Sequence, residues 1–231
     1  MENYKHIFFD LDHTLWDFNT NCRLTLNELY KKHNFHRLGF SDEIFYTEYK
    51  KINDQMWQDY HKGFATKEDI RTKRFHNTFS ILGCDPEKIP ADLENEFLKI
   101  CPTKGQVFPF THEMLDYLTN KGYFLHIITN GFKETQHIKL STSDLSDYFT
   151  HVIESEVCGF MKPDKRIFEY ALNLSNATVK ESIMIGDDFH ADILGAKNMG
   201  LDQIFVNRTN FIHTEFITHE IDCLSKLKGI L

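Results

Sequence analysis

Ile7-Phe8-Phe9-Asp10-Leu11-Asp12-His13-Thr14-Leu15 is the stretch on which the reading of this chain turns. Three apolar residues end a strand, and two aspartates two residues apart sit where that strand runs out into a loop. Carboxylates that share one strand end repel each other and lose hydration, so the arrangement calls for a metal ion or a chemical task. On this stretch alone, the plain alternative is a solvated turn.

Working outward, short apolar runs alternate with helical patterns in the second half of the chain. Tyr123 to Thr129, His151 to Ile153, Ser182 to Ile185 and Gln203 to Val206 read as buried strands, the pattern of a parallel α/β sheet. Thr111 reads as an N-cap ahead of Met114, Leu115 and Leu118, with Gly122 closing that helix. Gly200 closes another helix spanning Ala191 to Met199, and Pro163-Asp164 opens one that buries Ile167, Phe168 and Leu172.

The segment from Trp16 to Thr103 carries helix-period apolar positions and no strand pattern. Thr66 with Asp69 has the form of a capping box, starting a helix with Ile70, Phe75, Phe79 and Leu82 and ending at Gly83. Pro86 and Pro90 mark a turn before a helix over Asp92 to Ile100. The expected organisation is a Rossmann-like α/β core over 1–15 and 104–231, a parallel sheet with helices on both faces. A small all-α domain over 16–103 is inserted after the first strand, so two adjacent chain crossings form a hinge.

Three further segments complete a set in fixed order: Ile127-Ile128-Thr129-Asn130-Gly131, Gly159-Phe160-Met161-Lys162-Pro163-Asp164, and Ile183-Met184-Ile185-Gly186-Asp187-Asp188-Phe189-His190-Ala191-Asp192. With the first stretch these resemble the four motifs of the haloacid dehalogenase-like (HAD) hydrolases, over Tyr4 to about Asn207. The resemblance implies a phosphatase with a helical cap. Leu15-Trp16-Asp17-Phe18 and the Thr-Asn-Gly form of the second motif are similar to the pyrimidine-nucleotidase-like branch.

What that resemblance implies for the residues is specific. Asp10 is the nucleophile that forms an aspartyl-phosphate, and Asp12 protonates the leaving oxygen and then takes a proton from water. Mg²⁺ sits on the Asp10 carboxylate, the Asp12 backbone carbonyl and Asp187. Thr129 and Asn130 hold the phosphoryl oxygens, with Gly131 letting the backbone approach, and Lys162 offsets their charge. Thr14 shapes the loop, Asp192 orients a metal-bound water or braces the lysine, and Asp188 stands nearby in a weaker supporting place. Each motif ends a strand, where ligands sit in open α/β sheets.

Alternatives remain at this level, because the same first aspartate serves dehalogenases, phosphomutases and phosphatases. Breaking a carbon–halogen bond needs no proton on the leaving group, and dehalogenases of this group lack the second acid, so Asp12 and Asp187 argue against dehalogenation. A phosphomutase acting on a sugar phosphate keeps all four motifs, and a non-catalytic binding protein on the same fold is a third reading. Aromatic residues Trp16, Phe45, Tyr46, Tyr49, Trp57, Tyr60 and Phe64 are candidates either for helical core or for stacking on a base. With the branch resemblance they direct the expectation to nucleoside monophosphates.

Composition bounds the rest. With 231 residues, 41% of them hydrophobic, the chain can bury a sizeable core. A net charge of −8 argues against wrapping a nucleic acid polymer, though a small phosphate ester remains compatible. No apolar run approaches the roughly 20 residues that span a bilayer. Asp10 lies so near the start that a removable leader would take its strand away. Five scattered cysteines without a Cys-x-x-Cys pair read as reduced thiols in a cytoplasm. The thirteen histidines have no metal-ligand spacing, and the expected assembly is a monomer or weak homo-oligomer.

Overall fold

The computed structural model describes residues 4–85 and 88–231, so the expected turn residue Pro86 lies outside the described residues. In chain order the main elements are β1 (His6–Phe9), α1 (Phe18–Lys32), α2 (Asp42–His61), α3 (Lys67–Ile81), α4 (Leu93–Ile100), α5 (Thr111–Asn120), β2 (Phe124–Thr129), α6 (Lys133–Thr142), β3 (Phe149–Glu154), α7 (Ser155–Cys158), α8 (Lys165–Leu174), β4 (Ser182–Gly186), α9 (Gly195–Met199), β5 (Asp202–Val206) and β6 (His219–Ile221). The chain divides into two compact units, one of residues 1–18 with 105–231 and the other of residues 19–104. Among the described residues no helix is long and apolar enough to cross a membrane.

The larger unit is built on a six-stranded sheet in the order β3-β2-β1-β4-β5-β6. Every neighbouring pair is parallel. β1, β2 and β4 are buried almost without interruption, the pattern of strands covered on both faces. On one face Phe8, Ile128, Ile153 and Met184 meet Ile167, Phe168, Ala171 and Leu172 of α8 and Ala196 of α9. The burial spacing on α8 is that of one helical stripe, and Asp164 caps its start by accepting from the Arg166 N–H at 2.9 Å.

β1 sits at the centre, with β2 on one side and β4 on the other. The chain therefore reverses its direction of winding beside β1, which makes the carboxyl ends of β1, β2 and β4 the crevice of the sheet. Short β6, at the far edge, has no counterpart in the sequence reading: three residues carry too little alternation to register. Thr111 is the first residue of α5 rather than its cap, which is Phe110 at φ 68°. Its buried hydroxyl donates to the Leu15 carbonyl at 3.3 Å.

The smaller unit is all-helical. At the start of α3, Thr66 Oγ1 accepts from the Asp69 N–H at 3.1 Å while the Asp69 carboxylate accepts from the Thr66 N–H at 2.8 Å, a complete capping box. Its core is aromatic, with Phe35, Phe40, Phe45, Phe75 and Phe79 in edge, tilted and stacked contacts. Arg74 lies on the same buried stripe of α3. It donates to Asn53 Oδ1 at 2.9 Å, pairs with Glu94, and lies over the Phe97 ring at 4.8 Å.

Sheet register also brings together histidines that sequence spacing leaves dispersed. His6, His126 and His151 stack across β1, β2 and β3 with ring centroids 5.4 Å apart in each pair. His6 Nδ1 and His126 Nε2 are 3.1 Å apart. Burial first, then the neighbouring imidazoles, pull His126 down to about 3. The unfolded chain therefore takes up a proton near the ordinary histidine value of about 6.5 that the folded chain refuses. Stability is fully present above that value and falls as pH drops toward 3. We expect the unfolding free energy to decline by roughly 1–2 kcal/mol between pH 7 and pH 5 from this group. Urea midpoints for the native protein and His126→Gln at both pH values check it, the variant showing the shallower decline.

Candidate functional site

Four short loops, carrying Asp10, Asn130, Lys162 and Asp187, converge at the carboxyl ends of the central strands. Asp10 follows β1, with its N–H donating to the Ile185 carbonyl of β4 at 2.9 Å. Asp187 follows β4, and Asp192 lies one turn further on. One oxygen from each of Asp10, Asp187 and Asp192 lies within 4.8 Å of the other two. Gly186 is what lets Asp192 come so near, since a Cβ there would stand 2.2 Å from Asp192 Oδ2.

Lys162 is 2% exposed and reaches this cluster from the loop before α8, in which the Lys162–Pro163 bond is cis. Its ammonium donates to Asp10 Oδ1 at 2.6 Å and to the Ile128 carbonyl at 2.7 Å, and it lies 2.7 Å from Asp192 Oδ1. Burial disfavours the ammonium, but the charges of Asp10 and Asp192 outweigh that and hold Lys162 above the ordinary lysine value.

One lysine does not balance three carboxylates. Burial, opposed by Lys162, raises Asp10 and pushes Asp192 up to about 7. Asp187 is driven furthest, by burial and then by the charges of Asp10 and Asp192, with a single Thr14 hydroxyl donating to it at 2.8 Å. A cluster of oxygen donors short of positive charge fits a hard divalent cation such as Mg²⁺. The Lys162 ammonium is shared by Asp10 and Asp192, while Asp187 accepts from the Thr14 hydroxyl.

The remaining residues picked out in the sequence take definite places. Thr14 is fully buried, and its bond to Asp187 ties the first loop to the fourth motif. Both ends of the Asn130 amide are engaged with the Lys162 backbone, donating to its carbonyl and accepting from its N–H, each at 2.9 Å. Asn130 thus fixes the lysine loop, and its side-chain amide is taken up by that backbone. Thr129 Oγ1 accepts from the Gly131 N–H at 3.0 Å and lies 3.3 Å from Gln136 Oε1. A Cβ on Gly131 would stand 2.3 Å from Gln136 Nε2, so the close approach at this glycine is by a side chain. Asp188 caps the turn after β4, accepting from the N–H groups of His190 and Ala191 at 2.9 and 2.8 Å.

Asp12 stands apart from the three carboxylates, held by a residue that the sequence reading did not single out. Lys139 of α6 donates to both of its oxygens, at 2.7 and 2.6 Å. Arg208, after β5, is the second omission: it donates to the carbonyls of His13 and Thr14 at 2.7 and 3.0 Å and lies over Phe108 at 3.8 Å. These bonds brace a loop that includes His13 at φ 64°, a left-handed conformation that is costly for a side-chain-bearing residue. Among the aromatics, Trp16, Phe45 and Tyr49 are fully buried and cannot stack on a ligand, while Tyr46, Trp57 and Tyr60 are partly buried and Phe64 is exposed.

Comparison with known proteins gives consistent likenesses. A family model for haloacid dehalogenase-like hydrolases matches residues 4–200. Pyrimidine 5'-nucleotidase PynA of Streptococcus pneumoniae is 32% identical over 234 residues, covering 96% of each chain. A glyceraldehyde 3-phosphate phosphatase of Methanothermobacter thermautotrophicus is 30% identical, covering 98% of this chain and 99% of that one. The crystal structure of the HAD-hydrolase YfnB from Bacillus subtilis, bound to magnesium, aligns with a TM-score of 0.87 at 28% identity, covering 99% of this chain and 98% of that one.

Proposed function

Because this chain belongs to the haloacid dehalogenase-like hydrolases, we propose that it is a Mg²⁺-dependent phosphatase that hydrolyses small phosphate monoesters, nucleoside monophosphates foremost. The observation that carries the reading is the pair of carboxylates leaving β1 in different company. Asp10 is buried against Lys162 beside Asp187, and Asp12 is turned to Lys139 away from that cluster. That difference supports the first as nucleophile and the second as proton carrier, the division that a phosphate ester requires.

Asp10 attacks phosphorus, forming its acyl phosphate as the bond to the leaving oxygen breaks, and Asp12 delivers a proton to that oxygen. Water then attacks the acyl phosphate, with Asp12 taking its proton, and inorganic phosphate and free Asp10 result. Lys162 and the backbone N–H of Asn130 stabilise the charge on the equatorial oxygens. The ion would be held by Asp10, the Asp12 carbonyl and Asp187, and when bound it supplies positive charge that keeps Asp10 ionised and offsets the incoming phosphate. The helical unit of residues 19–104 serves as the cap. The preference for nucleotides is supported by the likeness to PynA; the likeness to a triose phosphate phosphatase makes sugar phosphates the competing class.

Phosphate release from nucleoside monophosphates and sugar phosphates, each with Mg²⁺ and with EDTA, tests the reading. The expected result is release that EDTA abolishes, fastest with nucleotides. Sugar phosphates turning over far faster than every nucleotide would remove the nucleotide preference, and release unaffected by EDTA would remove the metal.

A further inference from the structure

Lys139 has an unusual setting for a lysine. The residue is 5% exposed, on a face of α6 that also buries Thr135, Gln136 and Leu140. Two short donor contacts go to the two oxygens of Asp12. The ammonium also lies 4.7 Å from the centroid of Trp16, a fully buried ring. Trp16 is itself fixed by bridge pairing to Asp12 on one side and Val107 on the other. Lysine, indole and carboxylate therefore form one packed unit, and a lysine buried this deeply is retained only when it is paired. The hydrogen bonds of this ammonium go to Asp12, not to the Asp10, Asp187 and Asp192 cluster.

We infer that Lys139 is a positioning residue for proton transfer: it orients the Asp12 side chain. When protonated, Asp12 keeps one oxygen on the ammonium and gives the proton on its other oxygen to the leaving oxygen, ending as the doubly held carboxylate seen here. The inference rests on the phosphatase reading above. An ester of an alkyl alcohol, such as a nucleoside 5'-phosphate, expels a poor leaving group and depends on that proton. p-Nitrophenyl phosphate expels a phenolate that departs without one. Residues that merely hold the fold affect both esters alike, whereas a residue acting through Asp12 affects the first far more.

The decisive experiment compares kcat/KM, which reports the chemistry up to formation of the phospho-enzyme, for a nucleoside 5'-phosphate and p-nitrophenyl phosphate. Lys139→Met is expected to lose about 10²-fold on the nucleotide, the scale of general acid catalysis, and no more than about 3-fold on the aryl ester. Lys139→Arg, which keeps a cation at the site, should recover part of the loss on the nucleotide and carries the same comparison if the methionine variant does not fold. In an Asp12→Asn background, Lys139→Met should cost nothing further on the nucleotide, because the group it positions is gone. Equal losses on the two esters, or a further loss beyond Asp12→Asn, would overturn the inference while leaving the phosphatase intact. Failure of the unaltered enzyme on both esters would instead remove the phosphatase reading, and this inference with it.

Discussion

Asparagine in place of Asp10 should abolish turnover, with a loss of at least about 10⁴-fold, the scale on which enzymes lose rate when a nucleophile is removed. An amide of the same shape cannot form the acyl phosphate, so neither of the two chemical steps has a starting point. The fold should survive. The Asp10 N–H bond to the Ile185 carbonyl does not involve the side chain, and Lys162 keeps Asp192 and the Ile128 carbonyl as partners. Removing one of three crowded carboxylates also relieves repulsion on Asp187 and Asp192. In metal-free buffer the melting temperature should therefore be no lower than that of the native protein. Turnover assays with thermal melts check both halves, and near-native activity in the variant would take the nucleophilic role away from Asp10.

The positions of Asp10, Thr129 and Asp187 were legible in sequence because their motifs end buried strands, and strand ends are the places a parallel sheet brings together. The Lys162 motif lies instead in the loop between α7 and α8, not at a strand end. Ile7 to Phe9, Ile127 to Thr129 and Ile183 to Ile185 belong to neighbouring parallel strands, so the convergence of Asp10, Thr129 and Asp187 follows from strand direction. The capping box at Thr66 was equally readable, since its two hydrogen bonds are local and need no tertiary partner.

What stayed hidden depends on contacts between distant segments. Lys139 and Arg74 both sit on helix faces where a cation ordinarily reads as solvated. Their burial follows from partners 127 and 20 residues away, for which helical spacing gives no signal. The histidine stack is of the same kind: nothing in sequence relates His6, His126 and His151 until the register of β1, β2 and β3 sets their rings side by side. Asn130 shows a subtler case, in which the residue was found but its partner was not. A Thr-Asn-Gly at a strand end suggests an anion, while the amide is in fact matched to both polar groups of the Lys162 backbone.

Methionine in place of Lys162 tests whether the charge balance described above governs stability as well as chemistry. The ammonium is the cation paired with Asp10 and Asp192, which are 8% and 1% exposed. Removing it leaves two buried carboxylates beside Asp187 with no counter-charge, and the Ile128 carbonyl loses a donor at 2.7 Å. Breaking a buried pair from one side costs about 3–5 kcal/mol, while methionine fills most of the vacated volume, so the loss is one of charge rather than packing. In metal-free buffer we expect a fall of that size in the free energy of unfolding, read from urea titration, together with loss of turnover. Adding Asp192→Asn should return a substantial part of the stability, because one of the stranded charges is gone, but none of the activity, because the phosphate still meets no cation from the protein. Divalent cation should likewise stabilise the single variant more than the native protein, as added positive charge is then the main relief left to the cluster. Native-like stability of Lys162→Met would show that protons already neutralise the carboxylates, and that the lysine serves the chemistry without holding the strand ends together.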